Sequence, residues 1–143
     1  MSTTRIQLAL NVENVAEATR FYERLFGVPA HKQREGYANF AIADPPLKLV
    51  LFEGAGATGT INHLGVETES ADEVLAAESR LTASGLGTTG VDDTICCYAS
   101  KTETWLEGPD ATRWEWYVKT GDTDQLVNVS LGRADDTGTC CAT

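Results

Sequence analysis

The sequence predicts an α+β fold made of two paired β-α-β-β-β modules. The first observation is an internal repeat: residues 7–14 align with residues 63–70 at an offset of 56 residues, without a gap. The alignment continues along the chain, with Glu17 on Glu73 and Arg24 on Arg80. The second observation is that each copy opens with alternating apolar residues, which is typical of a strand, and then changes to helical spacing.

Module one is predicted over residues 4–54. Its first strand leads to Asn14, a helix-capping residue, and the helix that follows ends at Gly27. Two further strands are predicted at residues 37–43 and 47–53, joined by the Asp-Pro-Pro turn at 44–46.

Module two is predicted over residues 60–120. Ser70 and Glu73 form a capping-box pattern, and the helix they begin ends near Gly85. Strands are predicted at residues 94–99, 102–107 and 113–118, with the Gly-Pro-Asp turn at 108–110. A Gly- and Ala-rich linker at 54–59 joins the modules into one domain over 1–121. An acidic tail that is partly disordered is predicted for 122–143.

Composition excludes several classes of protein. The 143 residues are 42% hydrophobic and 22% charged, which is typical of a globular domain. No apolar run is long enough to span a bilayer and no signal-peptide core is present, so we expect a cytoplasmic protein. The formal net charge of −10 argues against binding nucleic acid.

Strand alternation places three polar side chains on one face of the sheet. Gln7, His63 and Glu115 fall on the face turned away from the helices, and a sheet that curls into a cup brings them together. The position in module one that corresponds to Glu115 holds Val50, which is apolar. Three of four symmetry-related positions can therefore ligate a metal.

An imidazole, a carboxylate and an amide together suit a borderline metal ion. The set is close to the facial triad of non-haem Fe(II) oxygenases, with a Gln in place of one His. The ordinary alternatives are a satisfied core or surface role for His63, a salt bridge for Glu115 and a polar edge position for Gln7.

The four cysteines form two adjacent pairs, Cys96–Cys97 and Cys140–Cys141. Adjacent cysteines make a poor disulfide framework, and in a reducing cytosol we expect thiols. Two neighbouring thiolates suit a soft, thiophilic centre, whereas the alternative for Cys96 and Cys97 is a pair of small buried apolar residues. Because adjacent residues of a regular strand point to opposite faces, we expect a loop or bulge around residues 92–100.

The repeated unit, with His63 opening module two and Glu115 in the segment RWEWY, resembles the vicinal oxygen chelate superfamily of glyoxalase I, extradiol dioxygenases and fosfomycin-resistance proteins. Segments 5–12 (RIQLALNV), 36–51 (GYANFAIADPPLKLVL) and 62–67 (NHLGVE) are similar to its branch of cadmium-induced proteins and organoarsenical C–As lyases. This resemblance implies a curved mixed sheet around one metal site.

The resemblance also implies a reaction. Fe(II) would be bound by Gln7, His63 and Glu115, and Cys96 and Cys97 would capture a trivalent methyl- or aryl-arsenical. O2 would be used to cleave the carbon–arsenic bond and release arsenite. Val50 leaves coordination positions open, which favours this chemistry over that of a glyoxalase-type site with a fourth protein ligand.

Two other functions stay open at this stage. The first is a binding protein that sequesters Cd(II) or As(III) through its thiols without turnover, in which Cys140 and Cys141 would add a flexible scavenging arm. The second is another enzyme of the superfamily, such as a ring-cleaving dioxygenase or a thiol transferase, which leaves Cys96 and Cys97 unexplained. Paired modules can complete the cup within one chain or across a homodimer.

Overall fold

A computed structural model describes residues 4–96, 98–123 and 129–130. This part of the chain forms nine strands, two α-helices and one turn of 3₁₀ helix at Pro109–Ala111. In chain order they are β1 (Arg5–Val12), α1 (Val15–Phe26), β2 (Lys32–Arg34), β3 (Tyr37–Ile42), β4 (Leu47–Glu53), β5 (Ile61–Glu67), α2 (Ala71–Ala83), β6 (Asp92–Cys96), β7 (Ala99–Glu107), β8 (Arg113–Asp122) and β9 (Val129–Ser130).

The strands form one mixed sheet in the order β2-β3-β4-β1-β5-β8-β7-β6-β9. The pairs β1–β4 and β5–β8 are parallel, and the other neighbours are antiparallel. Module one therefore reads β2-β3-β4-β1 and module two reads β6-β7-β8-β5. The two meet at the antiparallel β1–β5 pair, which completes the cup within one chain and confirms the α+β fold with paired modules.

Both helices begin and end where the sequence predicts. The Asn14 side chain accepts a hydrogen bond from Glu17 N, and Gly27 ends α1 with φ 69°, a left-handed conformation that glycine adopts without strain. In α2, Ser70 and Glu73 make the reciprocal bonds of a capping box. Within the described residues, neither helix is long and apolar enough to cross a membrane.

The apolar core lies between the helices and the convex face of the sheet. Its buried centre consists of small and aliphatic residues with one phenylalanine from β3 and β4, namely Ala38, Phe40, Ile42, Leu49 and Leu51. Helix α1 covers it with Val15, Ala18, Tyr22 and Phe26. Burying this apolar surface stabilises the sheet from one side, so the concave side is free to carry polar groups.

The sheet curls until its two ends approach each other. Lys32 of β2 donates through Nζ to Tyr98 O at 2.9 Å and also bonds Asp122 at the end of β8. These contacts join the first edge of the sheet to the far module. They enclose a cleft on the concave face.

The sequence did not predict β2 or β9, which have three and two residues and show no alternation. Within the segment 92–100, expected as a loop or bulge, Asp92–Cys96 belongs to β6 and Ala99 begins β7, and the two strands pair with Cys96 opposite Ala99. Residue Cys97 lies outside the described residues. In the predicted tail, β8 extends to Asp122 and Val129–Ser130 pairs with β6, while Cys140 and Cys141 lie outside the described part.

Candidate functional site

Gln7, His63 and Glu115 meet on the concave face, on the adjacent strands β1, β5 and β8. The Gln7 Nε2 atom lies 3.0 Å from His63 Nε2 and 2.9 Å from Glu115 Oε1. The His63 Nε2 atom lies 3.6 Å from Glu115 Oε1. All three side chains are buried. The structure therefore brings together the three residues that strand alternation placed on one face.

Gly65 allows this convergence. It pairs with Gln7 on one side and with Glu115 on the other. A Cβ atom at this position would lie 2.7 Å from the Glu115 carbonyl oxygen and 3.3 Å from Gln7 Nε2. Because only glycine lacks that atom, the Gln7 side chain can reach across β5 to the carboxylate of Glu115.

His63 is held as a neutral imidazole with Nε2 facing its neighbours. Burial lowers the pKa of His63, and this effect outweighs the opposite pull of the Glu115 carboxylate. The Nδ1 atom lies 2.8 Å from Asn62 Oδ1, an acceptor, so Nδ1 carries the proton and Nε2 presents its lone pair. A carbonyl oxygen on the far nitrogen is the arrangement that orients metal-binding histidines.

Glu115 is held as a carboxylate. Burial alone would raise its pKa, but Lys101 Nζ lies 2.8 Å from Oε2, and the pKa of Glu115 stays well below its usual range. Lys101 occupies one carboxylate oxygen, and the other, Oε1, faces Gln7 and His63. Glu103, also buried, has its pKa raised to about 8 by burial and by the nearby Glu115 charge.

The hydrogen bonds of Tyr117 bear on the orientation of the Gln7 amide. The Tyr117 hydroxyl oxygen lies 2.5 Å from Gln7 Oε1 and 2.9 Å from Glu67 Oε2. Both partners are acceptors, and one phenolic proton serves only one of them. Exchanging the amide oxygen and nitrogen settles the contacts at Tyr117, because the amide nitrogen then donates to Tyr117 and Tyr117 donates to Glu67. It also replaces the contacts of Gln7 Nε2 with Glu115 and His63 by three facing acceptors, an arrangement that a cation between them would stabilise.

The same exchange turns the amide oxygen of Gln7 toward His63 Nε2 and Glu115 Oε1. One nitrogen and two oxygens would then face one point, a donor set that suits Fe(II) and other borderline divalent ions. The residues present therefore fit a metal. Among the described residues no three His, Cys, Asp or Glu side chains cluster, since the third donor here is an amide.

The strand register places Val50 where the sequence predicted it. Val50 pairs with Ala9 as Glu115 pairs with Gly65, and Ala9 and Gly65 are 56 residues apart. Val50 lines the cleft and is 4% exposed. The fourth symmetry-related position is thus apolar in the structure.

A cleft opens next to these residues on the concave face. Gln7, His63, Val50 and Phe52 line it, and Trp105 packs on His63 with ring centroids 5.1 Å apart. Its other lining residues are mostly polar or charged, namely Lys32, Tyr37, Asn39, Lys48, Glu67, Ala99, Lys101, Tyr117 and Lys119.

Sequence reasoning missed the polar partners of the three convergent residues. Tyr117 carried a signal, because it lies two residues after Glu115 and so shares its face. Lys101 and Lys48 carried none, because a lysine in a strand is ordinarily solvent-exposed. The geometry of the Cys96–Cys97 pair lies outside the described residues. The backbone places Cys96 opposite Ala99, which lines the cleft.

A family match extends over most of this fold. Residues 5–116 match the family described as the glyoxalase/bleomycin resistance protein/dioxygenase superfamily. The chain belongs to this superfamily, which confirms the resemblance seen in the sequence.

Individual relatives are more specific. The chain is 49% identical over 138 residues to a trivalent organoarsenical cleaving enzyme of Thermomonospora curvata, a match that covers 96% of this chain and 88% of the relative. It is 50% identical over 121 residues to the cadmium-induced protein CadI of Mycobacterium tuberculosis, covering 85% of this chain and 80% of the relative.

Solved structures share the fold at low sequence identity. A Mn(II)-bound glyoxalase from Novosphingobium aromaticivorans superposes with a TM-score of 0.58 at 15% identity, covering 89% of this chain and 44% of the other. An extradiol ring-cleaving dioxygenase from B. fuscum gives a TM-score of 0.58 at 18% identity, covering 85% and 34%. Different reactions therefore occur on this fold, and one of these neighbours binds Mn(II).

Proposed function

We propose that this protein is an Fe(II)-dependent, O2-using C–As lyase that cleaves trivalent methyl- or aryl-arsenicals and releases arsenite. The observation that carries the proposal is the convergence of Gln7, His63 and Glu115 in a chain that is 49% identical to an organoarsenical cleaving enzyme. An imidazole, a carboxylate and an amide leave positions open for further ligands, as in the facial-triad oxygenases.

In this proposal Gln7, His63 and Glu115 hold the iron, which supplies redox chemistry with O2 when bound. Lys101 keeps the Glu115 carboxylate ionised and oriented through its 2.8 Å contact. Asn62 fixes the His63 tautomer. Val50 and Phe52 provide an apolar wall that keeps water from part of the cleft.

The substrate would be held by the thiols of Cys96 and Cys97. Trivalent arsenic binds sulfur, and two thiolates fix it while its carbon substituent stays free to point into the cleft. The position of Cys96 opposite Ala99, at the cleft, supports this role. Reduced thiols are required, which agrees with a location in a reducing cytosol.

For a methyl substituent the reaction balances without a further reductant. Methylarsonous acid and O2 together contain the atoms of arsenous acid and formaldehyde: CH3As(OH)2 + O2 → As(OH)3 + HCHO. The carbon–arsenic bond breaks, the methyl carbon is oxidised and O2 is reduced. The proposal therefore predicts one formaldehyde for each arsenite.

The test is a turnover assay. Metal-free protein is loaded with Fe(II) without oxygen, excess methylarsonous acid is added, and the sample is divided into arms with and without O2. Chromatography with elemental detection counts arsenite. We expect more than one arsenite per protein only with both iron and O2. An unchanged arsenical in both arms would refute the proposal.

Two variants separate the metal from the thiols. His63→Ala is expected to lose iron and turnover but to keep binding the arsenical. Cys96→Ser is expected to lose the arsenical but to keep iron. Cys140→Ser is the matched control, since it also removes one thiol of an adjacent pair, and it should keep both the arsenical and the iron.

The similarity to CadI favours a second candidate, a protein that sequesters Cd(II) or As(III) through thiols without turnover. It predicts stoichiometric binding of the soft ion that is unchanged in His63→Ala. Turnover that requires His63 would exclude it.

A further inference from the structure

All four lysines of this acidic chain line the same cleft. The sequence has a formal net charge of −10, and its lysines are Lys32, Lys48, Lys101 and Lys119. Lysines ordinarily stay in water, where their ammonium groups are solvated. Here Lys32 is 9% exposed, Lys48 6% and Lys101 5%. Lys101 is accounted for by Glu115, and the other three require another explanation.

Positive charge exceeds negative charge at the end of the cleft formed by Lys32, Lys48 and Lys119. Lys32 and Lys119 share one carboxylate, Asp122, which Lys119 reaches at 2.7 Å. Lys48 Nζ lies 3.5 Å from Glu67 Oε2.

The Glu67 carboxylate already has other partners. Glu67 accepts from Arg5 at 2.7 Å and lies 2.9 Å from the Tyr117 hydroxyl. Four cations thus face two carboxylates, and Lys48 has the weakest pairing. The burial of such an ammonium is unfavourable unless a negative group comes close to it.

The three lysines line the same cleft, and Lys32 and Lys119 contact one carboxylate, that of Asp122. Burial, and then the charges of Lys48, Lys119 and Lys32, lower the pKa of the neighbouring His31. An anion that enters the cleft would therefore meet several cations at once, in surroundings where charge is poorly screened.

Part of the cleft wall is aromatic. Tyr37 and Phe52 line it, with ring centroids 5.4 Å apart, and Tyr98 packs on Tyr37 at 4.9 Å. A flat apolar ring fits such a wall. The cleft thus combines an aromatic surface with a cluster of cations, and two of the proposed metal ligands, Gln7 and His63, line the same cleft.

We propose that this cleft contains an anion subsite, formed by Lys48 with Lys32 and Lys119, that selects substrates whose organic substituent is an aromatic group bearing a carboxylate. The choice of substrate rests on the proposed function, whereas binding of an aromatic carboxylate does not. The subsite can therefore be tested without any arsenical.

The first experiment is calorimetric titration of the full chain with benzoate, with benzamide as its neutral isostere, and with inorganic phosphate. We expect benzoate to bind on the order of tenfold or more tightly than benzamide, as is typical of a charge-assisted contact. Lys48→Met should bind benzoate more weakly by a similar factor, and Lys48→Arg should keep the wild-type affinity for benzoate. Arg20→Met, which removes an exposed cation from α1, is the matched control and should bind as the wild type does.

Equal binding of benzoate and benzamide, or benzoate binding that is unchanged in Lys48→Met, would overturn the subsite. Phosphate bound as tightly as benzoate would also overturn it, because the aromatic wall would then contribute nothing.

The second experiment compares benzylarsonous acid with 4-carboxybenzylarsonous acid, each of which balances with O2 to give arsenite and an aldehyde. We expect the carboxylate to raise kcat/KM about tenfold or more, and Lys48→Met to remove that preference. Cleavage of both substrates at equal rates would overturn the subsite but leave the proposed function standing. If neither arsenical is cleaved but benzoate binding still depends on Lys48, the proposed function is overturned and the subsite stands.

Discussion

Replacing Tyr117 with phenylalanine tests whether Gln7 is a metal ligand whose amide is oriented by a neighbour. The change removes one buried hydroxyl, which lies 2.5 Å from Gln7 Oε1 and 2.9 Å from Glu67 Oε2, and leaves the ring in place. In the exchanged orientation the Gln7 amide nitrogen would donate to this hydroxyl, so its loss removes a partner that turns the amide oxygen toward His63 and Glu115. Loss of a group that orients a ligand typically costs about 10- to 100-fold in metal affinity.

A second effect of Tyr117→Phe is on stability. Glu67 keeps Arg5, at 2.7 Å, as a partner. We therefore expect the free energy of unfolding to fall by about 1–3 kcal/mol, the range for leaving buried polar partners, here Gln7 and Glu67, without this hydroxyl. The folded variant should remain available for titration.

The assay is competition for Fe(II) between the protein and a chromophoric chelator, without oxygen. Tyr37→Phe is the matched control, because the Tyr37 hydroxyl is also buried in the cleft but accepts from Asn39 Nδ2 at 2.8 Å. We expect the control to retain its iron affinity within about twofold, because the hydrogen bond of its hydroxyl is to Asn39 and not to a proposed ligand. An unchanged affinity in Tyr117→Phe, alongside a loss in Gln7→Ala, would refute the orienting role. An unchanged affinity in both would remove Gln7 from the ligand set.

Three further substitutions probe the charges and the symmetry of the cleft. Lys48→Met should raise the free energy of unfolding at pH 7 by about 1–3 kcal/mol, because burial lowers the pKa of Lys48 from 10.5 to about 8. The cost of burying the charged lysine is fully present below pH 8 and is relieved between pH 8 and 10.5. Urea denaturation should therefore show the free energies of unfolding of variant and wild type converging over that pH range. A variant less stable than the wild type at pH 7 would show that the Glu67 contact outweighs burial. Lys101→Met leaves Glu115 without its cation and should lower the stability of the metal-free protein by about 3–5 kcal/mol. Added metal should then raise Tm more than in the wild type, and an equal rise would count against Glu115 as a ligand. Val50→Glu should bind Ni(II) or Zn(II) more tightly and lose O2-dependent turnover, as measured by metal titration and arsenite release; unchanged metal affinity would show that position 50 does not face the metal.

The sequence predicted the part of the site that depends on local periodicity. Gln7, His63 and Glu115 could be placed on one face because strands alternate with a period of two residues. Their convergence needed only one further condition, that the sheet curls. Gly65 marks that condition in the sequence, but its reason appears only when Gln7 and Glu115 are seen to pass across it.

The rest of the cleft depends on which strands become neighbours, and no local pattern encodes that. Lys32 lies on a strand of three residues that no alternation indicates, and its role follows from contacts with Tyr98 and Asp122, more than 60 positions away. A strand lysine such as Lys48 is ordinarily exposed. It is buried because β4 lies inside the sheet, between β3 and β1.

The duplication explains how one backbone supports two tasks. Related positions in the modules hold Gln7 and His63, Val50 and Glu115, so module two supplies two of the three proposed ligands and module one supplies one. On β4 the side chains that line the cleft are Lys48, Val50 and Phe52, which offer a charge and apolar surface but no good metal donor at neutral pH. A metal held by Gln7, His63 and Glu115 would have no protein ligand from β4, and this strand would be left to contact a substrate. It follows that changes to the concave face of β4 should alter which substrate is taken, whereas changes to β8 should alter which metal is held.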